Sequence, residues 1–353
     1  MASLLYDSFI GYRITYQKAE SAGKKSLNTA KPTVSNPTVS NPTVPMSRSH
    51  LFLCAWSISF LAIGFLSLWV PPVAAQPEPA QVSVSAPNAT TLNPQTVLQE
   101  LAQRNVVYLG ETHDSEVDHR AQLAIIQALY NLRSNFPTSV KKPTAIALEM
   151  FQRPYQSVLD RYLAGTISES TLQQLSEYEK RWGYPWEYYA PILRFSKQNF
   201  LLLIALNTPS EVTRKVARSG LQSLTFSDRR FIPPLSAIRT EPDSYRERIR
   251  QIYAEIHQGK SNSRQFETFF QAQVLWDETM AERISQFLSA NPNTQVIVLV
   301  GQGHLLYGDG IPNRVARRQN KKVTQSVVLI NPPKEIQAET DRPAADYFWN
   351  QSS

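Results

Sequence analysis

The sequence predicts an α/β protein with a mostly parallel sheet, helices on both faces and a helical insertion or subdomain. Short apolar runs alternate with segments of helical periodicity, which is typical of a parallel sheet. The runs are apolar almost throughout, as strands buried on both faces require. Polar motifs follow several runs, at the strand ends where open parallel sheets bind ligands. The runs occupy residues 105–109, 144–148, 201–206, 295–300 and 324–330.

Residues 1–45 are predicted to form a disordered, low-complexity extension, because a Pro-Thr-Val-Ser-Asn unit repeats across residues 32–44. A start of translation at Met46 is the alternative interpretation. Residues 46–75 combine a basic n-region, an apolar stretch over 51–70 and small residues suited to a cleavage site, which together are typical of a signal peptide. The stretch is also long enough to span a bilayer, so an uncleaved membrane anchor stays open. We expect an exported protein, periplasmic or membrane-associated through 51–70.

Charge and cysteine content exclude two classes of function. The formal net charge is +7, but residues 1–75 hold six Lys/Arg against two acids, so the remaining chain carries only +3. A surplus of that size does not indicate a nucleic-acid partner, which would need a clustered basic face. The single cysteine, Cys54, lies inside the apolar stretch. Neither a disulfide nor a catalytic thiol is therefore expected after export.

The rest of the chain divides into a linker over 76–95, a domain over 96–335 and a tail over 336–353. Between the strands, helical periodicity covers 96–103, 116–135, most of 154–199, 210–219 and 312–318. Residues 221–290 are predicted to be a helical insertion that caps the sheet edge. Its first part is irregular and rich in proline, and its helices cover 244–257 and 264–290.

Four acidic or basic side chains follow predicted strands directly. Glu111 and His113 come two apart after the first strand, Glu149 ends the second, and His304 closes a Gly-Gln-Gly-His turn. Imidazole and carboxylate groups suit zinc, iron or manganese, or general acid–base catalysis. The simpler alternative is a helix-capping Glu111 with His113 at the surface. Asp277, on a partly apolar helical face, would be a further polar partner or an exposed charge.

The motifs together resemble the ChaN family, a haem-binding uptake group of the Tiki superfamily. They are Gly110-Glu111-Thr112-His113-Asp114, Ala147-Leu148-Glu149-Met150-Phe151, Trp276-Asp277-Glu278-Thr279-Met280-Ala281, and Gly301-Gln302-Gly303-His304 with Gly310-Ile311-Pro312. The resemblance covers about residues 96–330. It implies a ChaN/erythromycin-esterase-like fold, haem as cofactor, and a homodimer around cofacial haems. Resemblance to the wider superfamily also implies metal-dependent hydrolysis at a comparable set of histidine and glutamate residues.

Haem would require an aromatic slot, cations for its propionates and an iron ligand. Aromatic residues crowd 178–195, among them Trp186 and Tyr189, although core packing explains most of them equally well. Arg229 and Arg230 are candidate propionate partners, or solvated charges. The resemblance implies a tyrosine ligand, for which the candidates in the insertion are Tyr245 and Tyr253. The remaining histidines on helices, His119 and His257, are expected at the surface.

Three hypotheses follow from these residues. The first is an exported haem-binding protein of haem or iron uptake. The second is a hydrolase in which Glu111, His113, Glu149 and His304 hold a divalent metal that activates water, with Asp277 orienting a ligand. The third is a binding module in which the same side chains form a buried hydrogen-bond network.

Overall fold

The computed structural model describes residues 81–134, 143–240, 242–257, 263–337 and 342–352. The predictions for 1–45 and 46–75 lie outside these ranges. Within the described ranges, every helix is too short or too polar to cross a membrane.

Eight strands of the described chain form one sheet in the order β2-β1-β8-β7-β3-β6-β4-β5. The strands are β1 Val82–Ser85, β2 Thr91–Leu92, β3 Val106–Glu111, β4 Thr144–Gln152, β5 Leu202–Asn207, β6 Gln295–Gly301, β7 Gln325–Ile330 and β8 Tyr347–Gln351. The six from β8 to β5 are parallel, and β1 pairs antiparallel with both β8 and β2. The predicted α/β fold with a mostly parallel sheet is confirmed.

Helices connect the strands. Those of the described residues are α1 Pro94–Leu101, α2 Glu116–Ser134, α3 Gln156–Leu163, α4 Glu169–Leu175, α5 Tyr178–Arg181, α6 Ala190–Gln198, α7 Ser210–Ser219, α8 Asp243–Ile256, α9 Ser263–Ala290, α10 Ile311–Arg318 and α11 Lys334–Gln337. Side chains of β3 alternate between two hydrophobic clusters, with Val107 and Leu109 in one and Val106 and Tyr108 in the other. Both faces of the sheet are therefore covered, as the unbroken apolar runs predict.

Three strands lie where the sequence predicts none. β1 and β2 fall in the expected linker over 76–95, and β8 falls in the expected tail over 336–353, so both predictions are wrong there. Each strand is short, and β1 buries only Val84. In β8, Phe348 and Trp349 enter clusters on opposite faces of the sheet. β1 and β2 have only four and two residues, and β8 begins with only three apolar side chains, so no apolar run long enough to predict a strand is present.

The predicted insertion over 221–290 ends earlier than expected. In the second half of α9, Met280, Ala281 and Ile284 belong to the cluster that covers the sheet. That half is an ordinary connection between β5 and β6. Phe266 and Phe270, in the first half, pack instead with α8 in a separate small cluster. Helix α9 therefore ties the helical subdomain to the sheet.

Candidate acid–base site

The site lies where β3, β6 and β4, three neighbouring parallel strands, reach their carboxyl ends. Glu111 is the last residue of β3, and the turn that follows is fixed by Asp118, which accepts hydrogen bonds from the Thr112 N–H and the Ser115 hydroxyl, both at 2.8 Å. Glu149 lies at the irregular end of β4, where the register with β5 shifts. A short 3-10 turn after β6 carries His304. The predicted convergence of strand-end residues on one edge is thus what the fold produces.

Glu111 and His113 form the first buried pair. His113 Nδ1 lies 2.8 Å from Glu111 Oε1, which also accepts a 2.6 Å hydrogen bond from the Tyr189 hydroxyl. Gln122 donates to the other carboxylate oxygen at 2.7 Å. Burial alone would raise the pKa of Glu111, but the charge of His119 and the hydrogen bond and charge of His113 outweigh it, and the pKa falls to about 2. Glu111 is therefore a fixed anion that orients His113.

Asp277 and His304 form the second pair. His304 Nδ1 lies 2.5 Å from Asp277 Oδ1, and the Tyr245 hydroxyl donates to Asp277 Oδ2 at 2.5 Å. The other ring nitrogen, Nε2, lies 3.4 Å from Glu149 Oε1. Burial would lower the pKa of His304, but the charges of Glu149 and Asp277 raise it to about 10. His304 is accordingly a cation held between two carboxylates.

Glu149 links the two pairs. Its Oε2 accepts a 2.8 Å hydrogen bond from the Gly301 N–H, while Oε1 faces His304. Burial raises the pKa of Glu149, but the charges of His304 and His113 and the hydrogen bond from the Gly301 N–H lower it overall. For His113, burial lowers the pKa, and the hydrogen bond to Glu111 with the charge of Glu149 raises it overall. Each imidazole is thus fixed at Nδ1 by its own carboxylate, while Glu149 lies beside His304 and interacts with His113 through charge.

His113 and Glu149 both line a small cavity of about 60 Å³. Trp182 and Tyr184 pack against the His113 ring, at centroid distances of 4.8 and 5.1 Å. The remaining wall comes mainly from the ends of β4 and β5 and from α5 and α7: Gln152, Lys180, Arg181, Asn207, Thr208, Ser210, Thr213, Arg214 and Trp276. A cavity of this size holds a water molecule or a small polar group, whereas pockets for large cofactors are several times larger.

Sequence reasoning missed two members of the site. His119 is buried, not at the surface as expected: its Nε2 donates to the His113 carbonyl oxygen at 3.0 Å, and Nδ1 lies 3.2 Å from Gln122 Oε1. His119 and Gln122 are three residues apart on α2, so both lie on the face that carries Ile125 and Ile126. That helical spacing was the available signal. His257, in contrast, is exposed as predicted.

The structure does not assemble the predicted haem residues into one site. The hydroxyls of Tyr245 and Tyr189 are buried and donate to Asp277 and Glu111, so neither is placed to ligate iron. Tyr253 is buried beside Tyr245 in the cluster of α8, which is separate from the cluster that contains Tyr189. The other three candidates have protein partners of their own. Trp186 donates to Glu169, Arg229 to the Leu224 carbonyl oxygen, and Arg230 lies over the Phe231 ring.

The four predicted metal ligands lie at the same sheet edge, but they do not surround a common point where a metal ion could bind. Across the described ranges, no group of three or more His, Cys, Asp or Glu side chains is arranged to hold a metal ion. Glu111 and Asp277 each take up the Nδ1 of a histidine, so the carboxylates and imidazoles bond to one another. The donor arrangement therefore does not fit the metal centre predicted from Glu111, His113, Glu149 and His304.

The charge of His304 predicts a pH dependence of stability. The folded-state pKa of about 10 exceeds the ordinary value of 6.5, so its contribution is complete below pH 6.5 and is lost as pH rises through 10. Urea denaturation at about pH 6, 8 and 10 should show a steeper decline in wild type than in His304→Asn, which lacks the titrating group. Parallel declines in the two proteins would contradict the assignment.

Fold and site together define an α/β protein with buried acid–base pairs at the carboxyl ends of its parallel strands. The chain belongs to the family described as haem-binding uptake, ChaN, whose sequence profile matches residues 97–315. Its fold is similar to the structure entitled "Cofacial heme binding to ChaN of Campylobacter jejuni", with a TM-score of 0.61 and 18% identity over 77% of this chain and 97% of that one.

Two further similarities are more distant or partial. A chloroplast protein of Arabidopsis thaliana, RETICULATA-RELATED 5, is 29% identical over 277 residues, which is 74% of this chain but only 36% of that protein. The chain therefore spans about a third of the length of this curated relative. A mutant of the erythromycin esterase EreC in its open conformation matches with a TM-score of 0.41 and 16% identity over 71% of this chain and 76% of that one.

Proposed function

We propose that this protein is a hydrolase in which Glu149 and His113 act as a base and an acid within one cavity. One observation carries the proposal. A carboxylate whose pKa is lowered and an imidazole whose pKa is raised line the same small cavity. Titratable groups whose environments move their pKa values in opposite directions, side by side in a cleft, are typical of acid–base catalysis.

The contacts assign a role to each group. Glu149 takes a proton from water, whose oxygen forms the new bond to the substrate. As the bond to the leaving group breaks, His113 donates a proton to that group from Nε2, because Nδ1 is engaged by Glu111. His304 and the Gly301 N–H hold Glu149 in place, and Asp277 holds His304. No step in this scheme requires the metal predicted from the sequence.

The test is a screen of the full chain against chromogenic carboxylic and phosphoric esters. Positioned acid–base groups contribute at least about 100-fold, so Glu149→Gln and His113→Asn should each lower kcat by that factor. Glu267→Gln, on the partly exposed first half of α9, is the matched control and should leave turnover unchanged. Turnover that survives both site variants, or no turnover of any ester by a folded wild type, would overturn the proposal.

Haem handling in uptake is the second candidate, and the family description carries it. One surface groove has suitable chemistry: half-buried Tyr307 lies beneath Arg248 and Arg342, at 4.7 and 5.5 Å from the ring centroid. A tyrosine oxygen can ligate ferric iron, and arginine pairs with carboxylates such as propionates. Both arginines also contact Asp309, so haem propionates would compete with that carboxylate. Export, membrane association and a dimer around cofacial haems belong to this proposal.

A haemin titration followed by visible absorbance tests this candidate. If Tyr307 is the ligand, wild type should give a saturable shift of the Soret band that Tyr307→Phe loses. Tyr347→Phe, which removes a hydroxyl bonded to Glu100, is the control and should bind as wild type does. His113→Ala combined with His304→Ala should leave haem binding largely intact. No saturable shift in wild type would eliminate the haem proposal without affecting the hydrolase proposal.

A further inference from the structure

Two threonine hydroxyls in the cavity wall have no hydrogen-bond partner among the described residues. Thr208 follows β5 and Thr213 lies in the first turns of α7, and their side chains are buried. Neither Oγ1 atom makes a hydrogen bond to any described residue. Both threonines line the cavity that holds His113 and Glu149. Buried hydroxyls are nearly always hydrogen-bonded, so a pair without protein partners beside a cavity indicates a polar ligand there.

The same corner of the cavity is cationic. Half-buried Arg214 donates to the Ser210 hydroxyl at 3.2 Å, and Arg181 donates to Gln152 at 2.8 Å and to the same hydroxyl at 3.3 Å. Lys180 is a third lining cation. The wall on this side therefore presents hydroxyl donors beside guanidinium groups, which is the chemistry that binds oxyanions.

Acidic residues near this corner must be set against these cations. Glu177 and Glu211 pair with Arg181 at 2.6 and 2.9 Å, but neither lines the cavity. Glu177 also pairs with Lys180 at 3.3 Å, whereas Glu211 acts on Arg214 only through the longer-range attraction of their charges. Arg214 is therefore the least neutralised of the three lining cations. Glu149 is the acid that does line the cavity, and in the proposed function it faces the attacking water.

Backbone donors add little at this corner. Helix α7 begins at Ser210, whose N–H already donates to Gln152 Oε1 at 3.3 Å. The N–H groups of Val212 and Thr213 donate to the Pro209 carbonyl oxygen. Three N–H groups of the first turn of α7 thus already have acceptors, so a ligand would be recognised mainly by the side chains of Thr208, Thr213 and Arg214.

We propose that this corner binds an oxyanion group of the substrate, of phosphate, sulfate or carboxylate type. The cavity of about 60 Å³ accommodates one such group. The inference deepens the proposed function, because it makes the substrate an anionic ester whose oxyanion lies beside His113 and Glu149. Binding itself depends only on the donors at the β5–α7 corner and can be measured without turnover.

Inorganic phosphate is the first probe and acetate the second, with the intrinsic fluorescence of the full chain as the readout. Trp182 and Trp276 both line the cavity, so occupancy should change their emission. Wild type should bind at least one anion saturably, and preference between the two probes distinguishes a tetrahedral from a carboxylate group. Thr208→Val combined with Thr213→Val, which keeps the side-chain shape, should weaken binding at least tenfold.

Arg214→Gln, a change at a half-buried position, should weaken binding similarly and guards against misfolding of the double variant. Thr144→Val, at the opposite end of β4, is the matched control and should bind normally. Glu149→Gln should retain anion binding while losing turnover, which separates this inference from the proposed catalysis. Absence of saturable binding of both anions, or equal affinity in wild type and the Thr208/Thr213 variant, would overturn the inference.

Discussion

Replacing Gly310 with alanine should destabilise the fold by about 3 kcal/mol or more and displace His304. A Cβ at Gly310 would collide with the His304 carbonyl oxygen and lie 2.8 Å from its carbonyl carbon and 3.3 Å from Asp277 Oδ2. The first two neighbours are backbone atoms, which cannot move without shifting the turn that carries His304. The added methyl group would therefore strain the Asp277–His304 pair itself.

Gly110→Ala provides the matched comparison, because Gly110 is also a glycine of a strand-end motif. Its Cβ would lie 2.8 Å from Leu329 Cδ2 and 3.0 Å from Leu305 Cδ1, the flexible ends of two side chains. Those ends can rotate, so we expect a smaller loss in the free energy of unfolding. Urea denaturation of the two variants measures the difference. Equal losses, or a Gly310→Ala protein as stable as wild type, would contradict a requirement for glycine at 310.

The fold could be predicted wherever a strand is encoded by a sufficiently long run of apolar residues. The strands β3 to β7 are apolar runs of at least five residues, and each is recognisable before any tertiary contact is known. Strands β1 and β8 lie between other strands of the sheet, but they depend on pairing between distant parts of the chain, as between Ser83 and Asn350. Strand β2 has only two residues and pairs with β1 alone. No local pattern encodes such pairings, so the sequence alone predicts a linker and a tail in these segments.

The site, like the fold, could be predicted from the sequence only in part. Glu111, His113, Glu149 and His304 could be found because strand ends of a parallel sheet meet at one edge. The hydrogen bonds of these residues could not be predicted from the sequence. Tyr189, for example, donates to Glu111 from 78 residues away, and tertiary packing determines which carboxylate each imidazole contacts. Residue type alone therefore suggested a metal set, whereas the geometry pairs each imidazole with a carboxylate. Residue type also makes Tyr245 a candidate iron ligand, although its hydroxyl donates a hydrogen bond to Asp277.

Asp277→Ala should cost about 3–5 kcal/mol in the free energy of unfolding, because it removes one partner from a fully buried charge network. Asp277 accepts from His304 and Tyr245 at 2.5 Å each and lies 3.9 Å from Arg314 Nη1. All four side chains are buried, so removing the carboxylate takes the shared acceptor away from two cations and a hydroxyl. The free-energy cost of burying His304, Arg314 and the Tyr245 hydroxyl away from water would then no longer be offset by contacts with a carboxylate.

Glu267→Ala is the control, since Glu267 lies on the same helix but pairs with Arg246 near the surface, where an ion pair contributes at most about 1 kcal/mol. Asp277→Asn keeps the shape and removes the charge that helps raise the pKa of His304. We expect it to fold more stably than the alanine variant and to show less alkaline loss of stability than wild type. Equal losses for Asp277→Ala and Glu267→Ala would mean that Asp277 does not organise the second pair. An Asp277→Asn variant with the alkaline decline of wild type would show that its charge does not hold the proton on His304, leaving Glu149 as the acid responsible.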